Sequence, residues 1–204
     1  IMAVAGYDER SFNMTKCVEN YTHMNDIVLS IDTGGNNVAE QPVKVLYMAD
    51  QRKLKVGKEG TRHMLELRRA TRDLYIEVAG LDQPDEITMH LNQWTNGYGP
   101  GDANKEIEQI QYVPAFTSNG ESGVFEGIVT FLKPDDDGEI KFSVVRKDKE
   151  SGWTSLRYFE EIKVGNKPIS DPTLEDTGAY AFKLMLEFDE EDNVKNVTTS
   201  SLTI

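Results

Sequence analysis

The sequence predicts an all-β protein: a single antiparallel β-sandwich of the jelly-roll type, formed by residues 1–204. Short runs of β-branched and aromatic residues recur along the chain, and each is bounded by Gly, Pro, Asn or Asp. No helical segments alternate with these runs, as they would in a protein with a parallel sheet. The chain of 204 residues shows no linker or internal repeat, and its length suits one sandwich domain.

Nine or ten strands are expected from these runs. Residues 86–91 show the pattern most clearly, because their alternation places Ile87, Met89 and Leu91 on one face. Thr88 and His90 then lie on the opposite, polar face. The predicted strands cover residues 26–31, 43–47, 74–78, 86–91, 124–132, 140–145, 155–159, 179–188 and 194–204.

Residues 59–74 carry two patterns at once. The segment is rich in helix formers, but Leu65-Glu66-Leu67-Arg68 also alternates, which would turn the leucines inward and the charges outward. We favour a strand, because the neighbours on both sides are strands; a helix is the alternative.

Residues 95–104 are the most loop-like part of the chain. They contain three glycines and one proline, a composition typical of a surface loop. We expect this loop to overhang a site.

The overall charge and the cysteine content exclude several classes of protein. The 35 acidic and 22 basic residues give a net charge of −13, which argues against binding to nucleic acid or to a membrane surface. No apolar stretch approaches the roughly 18 residues of a membrane-spanning helix. The single cysteine, Cys17, cannot form an internal disulfide, so a disulfide-stapled scaffold is excluded while the cellular compartment stays open.

The positive charge is concentrated in one segment. Between Arg52 and Arg72, eight basic residues stand against two acidic ones, a local net charge of +6. Such a patch attracts an anionic ligand by focusing the electrostatic field on one face. The alternative is that these charges only cover the solvent faces of two adjacent strands.

Two acidic segments could hold a metal ion. Asp135, Asp136 and Asp137 offer hard oxygen ligands for calcium, but residues 133–138 also form an ordinary hairpin-turn sequence, which we favour. Residues 189–193 have the same ambiguity and are interpreted as a turn. One cysteine and three scattered histidines predict no zinc site. We therefore expect no cofactor, with calcium at the three aspartates as the open alternative.

His90 is the most promising candidate for chemistry. Gln93, Trp94 and Tyr98 follow it closely, and an imidazole beside an amide and aromatic rings on an open sheet is typical of sugar-binding clefts. The alternative is a solvent-facing histidine next to a core tryptophan. No sequence signature of a hydrolase, a phosphate-binding loop or a dinucleotide site is present.

Three segments, taken in order, resemble the alginate lyases of the concanavalin-like jelly-roll type. Residues 62–68 contain the Glu-Leu-Arg of that family's first motif strand, with its first Arg at a different spacing. Residues 88–90 keep the His of the second motif and have Thr in place of Gln. Residues 180–183 keep an aromatic residue and Lys near the C-terminus, and Glu187 stands where a second Tyr would fall.

The resemblance implies β-elimination on an acidic, uronate-containing polysaccharide. In that family an Arg neutralises the carboxylate, a His removes the C5 proton and a Tyr acts as the acid. By matching position, the resemblance implies His90 and Arg68 (or Arg62) as catalytic residues. The family's Tyr has no match, and Tyr98 is the expected catalytic acid in its place, with Tyr180 as the alternative. The expected substrate-binding residues are Arg62, Gln93, Trp94 and Lys183. An anionic polysaccharide is then the partner, and the expected location is secreted or cell-surface.

A second resemblance supports an alternative function. Residues 176–180 read Asp-Thr-Gly-Ala-Tyr, similar to the Asp-x-Gly-x-Tyr corner of immunoglobulin-type domains. It implies a non-catalytic structural or adhesive β-sandwich, such as a surface or virion component, that binds protein. Under this alternative, loss of His90 or Arg68 would leave function unchanged.

Overall fold

The fold was examined in a computed structural model of the chain. The structure describes residues 2–16, 18–19, 27–39, 42–50, 64–83, 87–98, 104–134, 140–147, 154–171, 173–176, 181–191 and 193–202.

Seventeen strands and one helical turn make up the described part of the chain. In chain order they are β1 (Met2–Ala5), β2 (Phe12–Met14), β3 (Leu29–Ile31), β4 (Val38–Ala39), β5 (Tyr47–Asp50), β6 (Arg68–Arg69), β7 (Thr71–Ala79), β8 (Ile87–Tyr98), β9 (Asn104–Tyr112), β10 (Phe116–Ser118), β11 (Val124–Leu132), β12 (Lys141–Lys147), β13 (Thr154–Glu161), β14 (Lys163–Val164), β15 (Lys167–Pro168), α1 (Thr173–Asp176), β16 (Ala181–Phe188) and β17 (Val194–Leu202).

A five-stranded sheet has the order β10-β11-β7-β16-β17. The central strand β7 runs parallel to its neighbour β16, and all other pairs in the sheet are antiparallel. β7 is buried on its inner side through Leu74, Ile76 and Val78, whereas Tyr75 on its other side is exposed. This sheet therefore has one face on the core and one face toward solvent.

A seven-stranded sheet is built around the long strand β8. Its main order is β13-β12-β8-β3-β2, and β9 pairs with β8 and with β4. The β4–β9 pair is parallel. Register shifts at Gln93/Thr95 and Thr95/Gly97 interrupt the β8–β9 ladder. β8 also pairs with β12 through residues 87–92 and with β3 through residues 97–98. A three-stranded sheet (β1-β5-β6) and a two-stranded ribbon (β14-β15) complete the described architecture.

The buried side chains of the two large sheets form one hydrophobic cluster. Phe182, Leu184 and Leu186 of β16 belong to it together with Met89 and Leu91 of β8. The alternation expected for residues 86–91 is confirmed here, because Met89 and Leu91 are fully buried while Thr88 is exposed. The core therefore lies between the sheets, as in a β-sandwich.

The predicted all-β class is confirmed, and the purely antiparallel jelly roll is not. β7 and β16 pair in parallel over seven residue pairs, and β4 and β9 form a second parallel pair. A jelly roll is an antiparallel architecture, so the mixed sheets do not support that refinement. The expectation of one domain over residues 1–204 stays a prediction.

The interpretation of residues 59–74 needs correction. Residues 59–63 lie outside the described part; residues 64–67 form no regular element, and strands follow at 68–69 and from 71. Leu67, expected to point inward, is 42% exposed. Arg72, expected on the surface, is fully buried, with its guanidinium 5.7 Å from the ring centre of Phe182. The inward side of β7 therefore accommodates an arginine through a cation–π contact.

Most predicted strands are found, with shifted ends. Residues 124–132 match β11 in full, whereas residues 43–46 precede β5 without forming a strand themselves. Within the predicted loop at 95–104, residues 95–98 belong to β8 and residue 104 begins β9, whereas residues 99–103 lie outside the described part. The sequence did not predict β9 as a strand.

The acidic segment that follows β16 is a hairpin turn, as predicted. One carboxylate oxygen of Asp189 accepts hydrogen bonds from the backbone amides of Glu191 and Asn193, both at 2.9 Å. The Asp189 amide also donates to the Asn193 carbonyl. The other acidic segment, with Asp135, Asp136 and Asp137, lies outside the described residues, so calcium there stays a prediction. No helix in the part of the chain described here has the length and apolarity needed to span a membrane.

Candidate binding surface

Arg68, expected in the catalytic site, lies in the three-stranded sheet. It is exposed on β6 and pairs with Met48 of β5. Its neighbour Arg69 forms an ion pair of 2.6 Å with Asp73. Since Arg72 is buried, Arg68 is the one exposed arginine among the residues from 68 to 72. In the described part of the basic segment between Arg52 and Arg72, fewer positive charges are therefore exposed than the sequence predicts.

His90 and Gln93 point to opposite faces of β8. His90 is half-buried opposite Ser143 of β12, whereas Gln93 is 1% exposed. The Gln93 amide nitrogen donates to the Leu132 carbonyl of β11 at 2.9 Å, and the Leu132 amide donates to the Tyr112 hydroxyl at 3.3 Å. Burial raises the pKa of Tyr112 far above its ordinary value. These buried polar groups tie the two large sheets together, so Gln93 is not on the open face where it was expected.

Lys183 lies in the other large sheet. It sits on the outer side of β16, and its ammonium forms an ion pair of 2.9 Å with Glu77 of β7. Its charge is therefore balanced within the sheet.

Three further expected site residues have no described side chain. Arg62 lies outside the described residues, and Trp94 and Tyr98 are described only through the backbone of β8. The substitute acid Tyr180 is also outside. Among the residues whose side chains are described, Arg68, His90 and Lys183 belong to three different sheets. The single groove expected from the sequence is not found among them.

The structure instead shows a groove on the solvent face of the five-stranded sheet. The groove has a volume of about 550 Å³ and is lined by residues from all five strands of the sheet. Tyr75 of β7 and Ile128 of β11 are directly paired across the ladder and are 36% and 51% exposed. Leu202 of β17 and Ala115, which precedes β10, extend the apolar lining. Exposed apolar side chains clustered on one face are typical of an interaction site.

Acidic groups border this apolar lining. Glu77 and Glu126 are directly paired across β7 and β11, next to the pair formed by Tyr75 and Ile128. Lys183 neutralises Glu77, and Asn119 donates a hydrogen bond of 3.4 Å to Glu126. The groove thus combines an aromatic ring, aliphatic side chains and a net negative edge. Surfaces that bind other molecules commonly contain these groups.

This groove was not predicted from the sequence, although one of its strands carries a partial signal. The alternation over residues 74–78 places Tyr75 and Glu77 on the polar side of a strand, and an aromatic residue there is a candidate for binding. Ile128 gave no comparable signal, because apolar residues stand on both faces of the strand at 124–132. Among the residues described, no group of three or more His, Cys, Asp or Glu side chains could hold a metal ion.

Comparison with known proteins identifies the family. Residues 1–200 match the family model described as fimbrillin-A associated anchor proteins Mfa1 and Mfa2. The chain belongs to this family. No curated protein matches the chain.

Solved structures with a similar fold come from Bacteroides and Porphyromonas species. One is a candidate polysaccharide-binding protein from Bacteroides thetaiotaomicron, with a TM-score of 0.74 and 9% identity over 100% of this chain and 75% of that one. Another is the fimbrial anchor protein Mfa2 from Porphyromonas gingivalis, with a TM-score of 0.72 and 14% identity over 100% of this chain and 74% of that one. A third is a candidate adhesin from B. thetaiotaomicron, with a TM-score of 0.65 and 13% identity over 100% of this chain and 76% of that one. At these identities the likeness concerns the fold.

The family membership overturns the resemblance to alginate lyases. The match extends over nearly the whole chain, whereas the lyase motifs are three short segments, each incomplete. Cleavage of an acidic polysaccharide as the function of this chain is therefore wrong. The residue types that suggested it, an Arg, a His and a Lys on strands, lie in separate sheets in the structure.

Proposed function

We propose that this chain is a non-catalytic, surface-associated module that binds a protein partner and anchors a fimbria to the cell. The observation that carries the proposal is the family match over residues 1–200, since the family is described as one of fimbrial anchor proteins. The fold supports it through the similarity to the anchor protein from P. gingivalis. This corresponds to the alternative considered for the sequence, a structural or adhesive β module.

The described surface is consistent with a binding role. Its candidate groove contains apolar side chains and charged groups on a rigid sheet, and recognition surfaces are commonly built in this way. Polysaccharide binding belongs to the description of one structural neighbour and adhesion to that of another. The partner class we propose is protein, because an anchor must hold a fimbrial subunit.

Immunogold electron microscopy tests the proposal in the bacterium that carries the gene. We expect gold particles against this chain at the cell-proximal ends of fimbriae, because an anchor holds one end of the structure. Labelling along the whole shaft would identify a structural subunit instead. Labelling confined to the free tip would identify an adhesin and contradict anchoring.

A further inference from the structure

The outer face of the five-stranded sheet contains an arrangement that the fold alone does not favour. Glu77 and Glu126 are directly opposite each other on adjacent antiparallel strands. Like charges in such positions destabilise a sheet. Lys183 forms an ion pair with Glu77, whereas the described contact of Glu126 is a 3.4 Å hydrogen bond from an exposed asparagine. One carboxylate at the groove is therefore left without a cationic partner among its described contacts.

Apolar side chains lie immediately beside this carboxylate. Ile128 is two residues from Glu126 on the same face of β11, and Tyr75 is paired with Ile128 on β7. Both are exposed, and Leu202 lines the same groove. A ligand that fills the groove would bury an apolar group against Tyr75 and Ile128, and its neighbouring group would reach Glu126.

We propose that this groove binds an extended segment of a partner protein that carries an aromatic or aliphatic side chain and, two residues away on the same side, a Lys or Arg. The apolar side chain packs on Tyr75, Ile128 and Leu202, and the cation pairs with Glu126. The inference rests on the proposed function and specifies the chemistry of the partner.

Charge complementarity distinguishes this occupant from two others. A second copy of the chain would bring another net charge of −13 to an acidic groove, so self-association is opposed by repulsion. A neutral sugar would stack on Tyr75 but would leave Glu126 without a cation. A cationic protein segment satisfies both parts of the surface.

Titration of synthetic peptides into the whole chain tests the proposal. Three blocked octapeptides with a Ser/Thr background differ only at positions 4 and 6, which share one side of an extended chain. These two positions hold Phe and Arg, Phe and Glu, or Ser and Arg, and the peptides are named Phe-Arg, Phe-Glu and Ser-Arg after them. Methyl NMR signals of Ile128 and Leu202 report on the groove. We expect the Phe-Arg peptide to shift both signals, the Phe-Glu peptide to bind at least about fivefold more weakly, and the Ser-Arg peptide to cause no shift.

Variants of the chain identify the contacts. Tyr75→Ser is expected to weaken binding of the Phe-Arg peptide at least about tenfold, and Ile128→Ser is a second variant of the same surface. Glu126→Gln should weaken it about threefold and reduce its dependence on salt. Tyr47→Ser and Glu190→Gln are the matched controls, because both residues are exposed on other parts of the molecule. Each control should bind like the wild type.

Several results would overturn the proposal. They are absence of any shift at millimolar peptide, equal binding of the Phe-Arg and Phe-Glu peptides, shifts caused by neutral oligosaccharides alone, and shifts that depend on the concentration of the chain itself. Failure of the peptides to bind would not affect the immunogold result. Anchoring and the groove can therefore fail independently.

Discussion

At residue 80 the backbone adopts a conformation that favours glycine. Gly80 has a φ of +87°, and a Cβ added to it would collide with the carbonyl oxygen of Phe188 at the end of β16. The residue follows β7 directly, so the chain can turn away from the sheet only while passing close to the neighbouring strand. Both the positive φ and the close approach exclude a side chain here.

We therefore expect Gly80→Ala to destabilise the protein by about 3 kcal/mol, the sum of left-handed strain and a backbone collision. Gly120→Ala is the matched control, since Gly120 has a φ of +96° and open space around its Cβ position. It should cost about 1 kcal/mol, from strain alone. Urea unfolding of the three proteins measures the difference, and equal destabilisation by the two variants would contradict the role of the Phe188 contact.

The positions of some residues could be predicted from the sequence, and those of others could not. Alternation correctly assigned Met89 and Leu91 to the core, because burial of one strand face follows directly from period two. The same rule places Gln93 on that buried face, yet its polar side chain suggested a binding role. Its actual partner, the Leu132 carbonyl, is 39 residues away, and such a contact cannot be inferred before the strand order is known.

Among the elements, the β16–β17 hairpin illustrates local sequence control. Asp189 closes the turn by accepting hydrogen bonds from two backbone amides. The ammonium of Lys195 on β17 forms an ion pair of 2.8 Å with the carboxylate of Glu187 on β16. The hydrogen bond from the Asn193 amide holds the pKa of Asp189 below its ordinary value. The turn is therefore stabilised by an ionised carboxylate.

We expect Asp189→Ala to lower the unfolding midpoint at neutral pH, with a smaller loss for Asp189→Asn, which keeps an acceptor oxygen. Because the folded-state pKa is depressed, the carboxylate stabilises the fold above its unfolded pKa of about 3.9. That contribution is lost as the pH falls through the folded-state value. The difference between wild type and Asp189→Ala should thus shrink in acid, and a pH-independent difference would argue against the carboxylate.

Elements with strong local signals were found, and those fixed by distant partners were not. β11 is rich in β-branched and aromatic residues and has turn residues on both sides, so its ends could be predicted. β9 is polar over much of its length and was missed, because its pairing with β8 determines its structure. The parallel β7–β16 pair joins segments about 110 residues apart, and the sequence of neither strand indicates that the other is its partner.

At the scale of the whole molecule, charge proved a poor guide to function. The basic segment suggested an anionic ligand despite the net charge of −13, but Arg69 is ion-paired to Asp73 and Arg72 is buried. The described groove has an acidic edge instead. The sequence therefore predicted the fold class, whereas the function required the family comparison and the surface required the strand order.

Retention of fimbriae on cells tests the proposed anchoring most directly. The amount of fimbrial protein on washed cells and in the medium would be compared in the wild type, in a strain lacking the gene, and in strains complemented with the wild-type chain or with Arg68→Ala/His90→Ala. We predict that fimbriae move to the medium without the gene and that both complemented strains retain them. Fimbriae that stay on cells without the gene would contradict anchoring, and failure of the double variant, if folded, would contradict the non-catalytic role.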